Sequence, residues 1–166
     1  MNNPPKLRSG HQKFYQGYFT PSNPRKYVGN LDKIIYRSSW EKHFMNICDK
    51  NDRILKWSSE PFPIFYISPL DNKQHRYYID FWILLKNKED KLKKILIEIK
   101  PYSQTQIPNI KGRKTNKKRL QFIKESETFL INQAKWTSAL KFCKDSDSDV
   151  DFMIITEKTL DLFNDF

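Results

Sequence analysis

The chain predicts a single α/β domain, a mixed and mainly antiparallel sheet flanked by helices, and three stretches of sequence predict it. Residues His75 to Lys86, HRYYIDFWILLK, and Lys93 to Pro101, KKILIEIKP, are aromatic and β-branched with period-two alternation, and the turn-like Asn87 to Asp90 joins them as an antiparallel pair. After Ser38, the residues Trp40, Phe44, Ile47 and Cys48 recur at helical spacing. A second helical pattern runs from about Asn116 to Cys143, its middle near Ser126 to Phe129 open to a break into two helices, ahead of one more strand at Phe152 to Thr156. The expected order is α, β, β, β, α, β, preceded by an arm.

Residues 1–30 form that arm and 31–166 the domain. The arm is poor in aliphatic residues, holds Pro4, Pro5, Pro21 and Pro24, and interleaves Phe14, Tyr15, Tyr18, Phe19 and Tyr27 with basic residues. Such a composition cannot pack by itself. Its aromatics are expected to pin it to the domain rather than to stack on bases.

The first helix opens at Ser38 or Ser39 and continues to about Lys50. Ser38 and Glu41 have the spacing of a capping box, in which the carboxylate serves the helix end. Glu41 also sits at the margin of the buried face, where it can point toward a site as a third acid. Arg53 to Trp57 is a short strand candidate and Phe62 to Ser68 a better one. The latter, with the two runs above, makes a three-stranded meander that Pro101 ends.

Side chains alternate across a strand, so Tyr78, Asp80 and Trp82 share one face of the first run, and Leu96, Glu98 and Lys100 one face of the second. Ile79-Asp80-Phe81 and Leu96-Ile97-Glu98-Ile99-Lys100 leave charges as interruptions in runs apolar on both faces. Isolated charges do not occupy buried positions without partners. Brought side by side, Asp80 and Glu98 would raise each other's pKa unless a cation lay between them. Oxygen ligands of this kind suit Mg²⁺ or Mn²⁺ rather than zinc. Lys100, one pleat beyond Glu98, is placed to orient a water or to stabilise charge on a phosphate.

At these residues the chain resembles the PD-(D/E)XK nuclease superfamily, with Ile99 as the x and Ile79 where the superfamily's name has Pro. The resemblance implies a restriction-endonuclease-like domain in which Asp80, Glu98 and the Ile99 carbonyl bind the metal and Lys100 assists. It narrows at GYFTPSNPRKYVGN, YRSSWE, YYIDFWI, IEIKP, NQAKWTSALKFC and FMIITEKTL, which look like the head completion nucleases of T-even-type tailed phages, from about Gly17 to Leu160. A similar arrangement occurs in transposon end-cleaving endonucleases. The resemblance implies Glu41, Asp80, Glu98 and Lys100 as the catalytic set, with Glu41 reaching the metal directly or through a water. It implies Gln133 and Lys135 as secondary candidates on the later helix; as exposed residues of an amphipathic helix they would need no such role. It further implies action on the packaged genome, with phage head, portal or neck proteins as partners, in the host cytoplasm or on the virion.

Composition points the same way. The 166 residues hold 30 Lys and Arg against 19 Asp and Glu, a net charge of +11, and the pI is about 9.6. A protein that basic is read as a partner of polyanions, here double-stranded DNA. From Lys111 to Arg119, six basic residues (Lys111, Arg113, Lys114, Lys117, Lys118 and Arg119) occur without an acid. They form the expected phosphate-tracking patch, at the end of a long loop running from Tyr102 to Thr115.

Other chemistries lack their residues. Cys48 and Cys143 fit no zinc spacing. The Asp145, Asp147, Asp149 and Asp151 run has no Gly at a calcium loop's sixth position, and Thr156 stands where that loop needs a Glu. Four glycines form no phosphate loop, so no nucleotide cofactor is expected, and the three histidines have no nucleophile partner. No apolar run is long enough to span a membrane, and the polar first residues do not read as a signal peptide. A non-catalytic protein binding DNA ends in the virion, and a partner-dependent transposon or repair endonuclease subunit, remain as alternatives.

Overall fold

The computed structural model describes residues 15–110, 112, 115–145 and 149–164. In chain order these contain β1 (Gly17–Tyr18), β2 (Ile35–Tyr36), α1 (Ser39–Lys50), β3 (Ile54–Ser59), β4 (Pro63–Ile67), β5 (Gln74–Tyr78), β6 (Phe81–Lys86), β7 (Leu92–Ile99), the single turn α2 (Tyr102–Thr105), α3 (Asn116–Asp145) and β8 (Val150–Ile155). Residues 111, 113, 114 and 147, all part of the sequence readings above, lie outside the described set, as does the arm before Tyr15.

A four-stranded sheet of order β3-β6-β7-β8 forms the centre, antiparallel except for the parallel pair β7 and β8. Parallel neighbours need a crossover, and α2 and α3 supply it. One sheet face carries Phe81, Ile83, Leu85, Ile95, Ile97 and Ile99 onto the buried side of α1, Phe44, Met45, Ile47 and Cys48. The alternate positions, Trp82 and Leu96, face a second cluster with Ile79, Tyr77 and Ala139. The fold is therefore mixed α/β with helices on both sides of an antiparallel-rich sheet. Among the described residues no helix is long and apolar enough to cross a membrane.

Helix α1 starts where the cap chemistry places it. Ser38 Oγ accepts the Glu41 N–H at 3.1 Å and donates to Glu41 Oε1 at 3.0 Å, while Glu41 Oε2 accepts the Arg37 N–H at 2.7 Å. Before it, Phe19 is buried in the core, Val28 N–H donates to the Trp57 carbonyl at 2.8 Å, and Asp49 receives the backbone N–H groups of Ser22 and Asn23. The described part of the arm thus lies pinned against the sheet and α1.

Three expectations need correction. The run His75 to Lys86 is not one strand: it breaks at Ile79 and Asp80 into β5 and β6. The break has a hydrogen-bond cause. The Ile99 N–H, which would continue the ladder beyond the pair Phe81 and Ile97, is taken instead by the Asp80 carboxylate at 2.7 Å, and the Asp80 carbonyl accepts the Glu60 N–H at 3.0 Å. Second, Phe62 to Ser68 does not join the central sheet; β4 pairs with β5 as a separate hairpin and the weaker candidate, β3, lines β6. Pro61 and Pro63 bring no N–H to a ladder, which detaches the chain from the sheet at that point. Third, the later helix shows no interruption near Ser126 to Phe129: α3 runs 30 residues. It contains no Gly or Pro, so nothing in it breaks the backbone pattern.

Candidate active site

Antiparallel register sets the site. Phe81 pairs with Ile97, so Asp80, just before β6, comes opposite Glu98 near the end of β7. Lys100 follows one residue past β7, its backbone N–H held by the Ile155 carbonyl of β8 at 2.9 Å. Its ammonium lies between the two acids, 2.7 Å from Glu98 Oε1 and 3.8 Å from Asp80 Oδ2.

Glu98 is the most enclosed member, at 2% exposure. Its second oxygen accepts the Tyr77 hydroxyl at 3.1 Å, so each carboxylate oxygen has a donor. Asp80 and Lys100 are each 23% exposed and open the cluster to solvent. Burial, reinforced by Glu98, pushes the Asp80 carboxyl up to about 7, against the opposing pull of Lys100 and the Ile99 N–H. Burial lowers the Lys100 pKa, but Asp80 and Glu98 outweigh it and hold the amine at about 12. Burial of Tyr77 and the neighbouring Glu98 push its phenol upward.

Glu41 is engaged in the cap described above, yet it feels the cluster: burial raises its pKa, Asp80 raises it further, and Lys100 lowers it. Among the described residues no three Asp, Glu, His or Cys side chains converge as a metal-ligating group. The two convergent acids nevertheless fit a hard divalent cation, because both are oxygen donors and their shared negative charge has Lys100 as its nearest cation. Ile99 points its N–H at Asp80, and strand geometry turns its carbonyl toward the same edge. That carbonyl, with waters, can complete such a shell.

The two secondary candidates separate. Lys135 reaches the cluster from α3, its ammonium 5.5 Å from the Tyr77 ring centroid and 5.7 Å from that of Tyr66. Burial and then Lys100 lower its pKa. Gln133, two positions away and so on another side of the helix, is exposed. Lys117, Lys118 and Arg119 are exposed in the first turn of α3. Sixteen residues separate Arg119 from Lys135, roughly 24 Å along the helix. Lys111, Arg113 and Lys114 lie outside the described residues.

Three residues enter the cluster that the sequence reading did not single out. Tyr77 caps Glu98. Arg37 gives its backbone N–H to Glu41, and its side chain meets Glu60 at 3.0 Å through Nε and 3.4 Å through Nη2. Glu60 in turn bonds the Asp80 carbonyl. The alternation that put Asp80 and Glu98 on matching faces could have flagged Tyr77 only once the break at Ile79 was known. For Arg37 and Glu60 the sequence holds no signal, since 23 residues separate them.

Comparison with known proteins agrees with this frame. The model of the family described as TnsA-like endonuclease N terminal matches residues 51–157, a span that includes Asp80, Glu98, Lys100 and Lys135 and leaves Glu41 outside. The head completion nuclease of Enterobacteria phage T4 is 36% identical over 146 residues, covering 88% of this chain and 93% of the phage protein. No solved structure matches at a significant level. With one match taking in the whole central sheet and the other nearly the full length of both proteins, the chain belongs to the family of TnsA-like endonucleases and phage head completion nucleases.

Proposed function

We propose that this chain is a metal-dependent deoxyribonuclease that hydrolyses phosphodiester bonds at the end of a packaged phage genome during head completion. The observation that carries the reading is the convergence of Asp80 and Glu98 on the Lys100 ammonium, at 3.8 and 2.7 Å, with Asp80 pushed up to about 7. Native proteins seldom keep so costly a charge arrangement for structure alone, and perturbed carboxylates cluster at functional sites.

Asp80, Glu98 and the Ile99 carbonyl would hold Mg²⁺ or Mn²⁺. Bound there, the ion would supply Lewis-acid stabilisation of the phosphate and an acidified water. The chain's own residues do the rest. Tyr77 fixes one oxygen of Glu98, and the Ile99 N–H fixes one oxygen of Asp80, so both carboxylates are oriented before substrate arrives. Lys100 remains protonated at neutral pH and places the attacking water or neutralises the developing phosphorane charge. Glu41, whose carboxylate caps α1, would join the acid set directly or through a water. Lys117, Lys118 and Arg119, with the basic residues before them, hold double-stranded DNA by its phosphates without reading bases.

The phage relative's extent of match favours head completion, with head, portal or neck proteins as partners and the host cytoplasm or virion as the place of action. The family model's name supports the second reading, an endonuclease subunit that cuts only with a partner protein. Cleavage of linear and supercoiled duplex with Mg²⁺, Mn²⁺ or EDTA, beside Asp80→Ala and Lys100→Ala, tests the proposal. Metal-dependent cutting lost in both variants is expected. Equal cutting in EDTA, or undiminished cutting by Asp80→Ala, would refute it.

A further inference from the structure

A site built from carboxylates repels the phosphodiester it is meant to receive, so it needs positive charge beyond what holds the site together. Asp80 feels both Glu98 and Glu60, Glu41 feels Asp80, and the Lys100 ammonium is already shared between Asp80 and Glu98. Arg37 is placed differently. Its backbone is tied to Glu41 by the 2.7 Å bond at the start of α1, while its guanidinium projects outward and is about one-third exposed. Glu60 engages Nε and Nη2 only, and among the described residues Nη1 has no hydrogen-bond partner.

Glu60 is held in an unusual way. Its φ of +44° lies in the left-handed region that residues with a side chain avoid, and its N–H is anchored on the carbonyl of Asp80. Backbone in that region persists only where its surroundings over-determine it, and such positions gather at functional sites. The strained residue therefore registers the Arg37 side chain to the backbone of an acid in the cluster. Beyond Glu60 opens a cleft of about 560 Å³, lined also by Tyr27, Lys33, Ser59, Phe62 and Trp82.

We propose that Arg37 is a phosphate-binding residue of this site, its guanidinium forking onto the non-bridging oxygens of the DNA phosphate over Asp80 and Glu98, with Glu60 as the positioning residue that holds it poised. The assignment rests on the nuclease reading above. Guanidinium and phosphate match as a two-point pair, which an ammonium cannot reproduce. An ordinary exposed ion pair would instead contribute almost nothing to stability and nothing to substrate binding.

The test compares wild type with Arg37→Ala, Arg37→Lys, Glu60→Gln and Glu60→Ala, measuring kcat and KM on duplex DNA with Mg²⁺ and, separately, DNA affinity against salt in EDTA. Arg37→Ala should lose about 10- to 100-fold in kcat/KM with its melting temperature kept, as expected for a charged hydrogen bond. Arg37→Lys should recover little of that loss, and free guanidinium should restore part of it. Glu60→Gln, which keeps one acceptor oxygen, should fall between wild type and Glu60→Ala. The salt slope of DNA binding should drop by about one in Arg37→Ala. Cleavage within twofold of wild type by Arg37→Ala, or by Arg37→Lys if the alanine variant does not fold, would overturn the assignment. If wild type cuts nothing with any metal, the nuclease reading fails; the salt slope then decides, and an unchanged slope removes Arg37 from the DNA site as well.

Discussion

Replacing Asp80 with Asn should abolish cleavage and at the same time make the metal-free protein more stable. In the native state the Asp80 carboxyl is held at about 7 against an ordinary value of 3.8. That gap of about three units, at 1.36 kcal/mol each, makes the ionised carboxylate cost the folded protein roughly 4 kcal/mol above neutral pH. Residual solvent screening and relaxation around a side chain that is 23% exposed reduce this, by about half, to roughly 2 kcal/mol. Because the native state binds this proton more tightly than the unfolded chain, native stability falls as pH climbs from about 4 through about 7, and levels off beyond. Asparagine, which mimics the protonated acid and keeps an oxygen for the Ile99 N–H, has no such fall. Urea or thermal unfolding in EDTA at pH 4 and pH 8.5 measures the difference. The two proteins should match at the lower pH, and the variant should melt roughly 4–8 °C higher at the upper one. Added Mg²⁺ should narrow the gap by stabilising wild type alone. A difference that does not change with pH, or an asparagine variant less stable at pH 8.5, would refute the view that ionised Asp80 is a net cost to the fold.

Other perturbations separate structural from functional roles. Tyr77→Phe removes the donor to a buried carboxylate oxygen and should cost about 1–3 kcal/mol in urea unfolding; an unchanged midpoint would mean that the hydroxyl does not satisfy Glu98. Glu41→Gln should reduce cleavage at least tenfold while lowering stability by only about 1 kcal/mol, the typical worth of a cap. Full cleavage with a lowered melting temperature would assign Glu41 to the helix end alone. Reversing Lys117, Lys118 and Arg119 to Glu should weaken duplex binding and shrink its salt slope by roughly two to three. Unaltered binding would place the DNA elsewhere.

The elements that local chemistry dictates were readable in the chain. Ser38 and Glu41 announce the start of α1, and the alternation of Lys93 to Ile99 announces β7. The pairing of Asp80 with Glu98 follows from strand periodicity and the turn at Asn87. What escaped depends on bonds between distant groups. The break at Ile79 arises because a side chain, Asp80, takes the Ile99 N–H that a strand backbone would otherwise use, and no spacing rule encodes that choice. The detachment of the β4 and β5 hairpin combines that interruption with Pro61 and Pro63, which bring no N–H to a ladder. The unbroken α3 was misread because its polar stretch around Ser126 looks like a loop, although a helix lying in solvent tolerates it so long as no Gly or Pro intervenes. Arg37 and Glu60 meet only through the fold.

The length of α3 has a mechanical consequence. A helix of 30 residues with no flexible point moves as one body, so Lys135 beside the acids and the cationic first turn roughly 24 Å away cannot shift independently. Under the proposed function, DNA gripped at that far turn would be cut at a set offset from the grip, about seven base pairs at 3.4 Å each. The helix would then serve as a molecular ruler, and inserting or deleting a whole turn between Arg119 and Lys135 would move the cut by about one and a half base pairs.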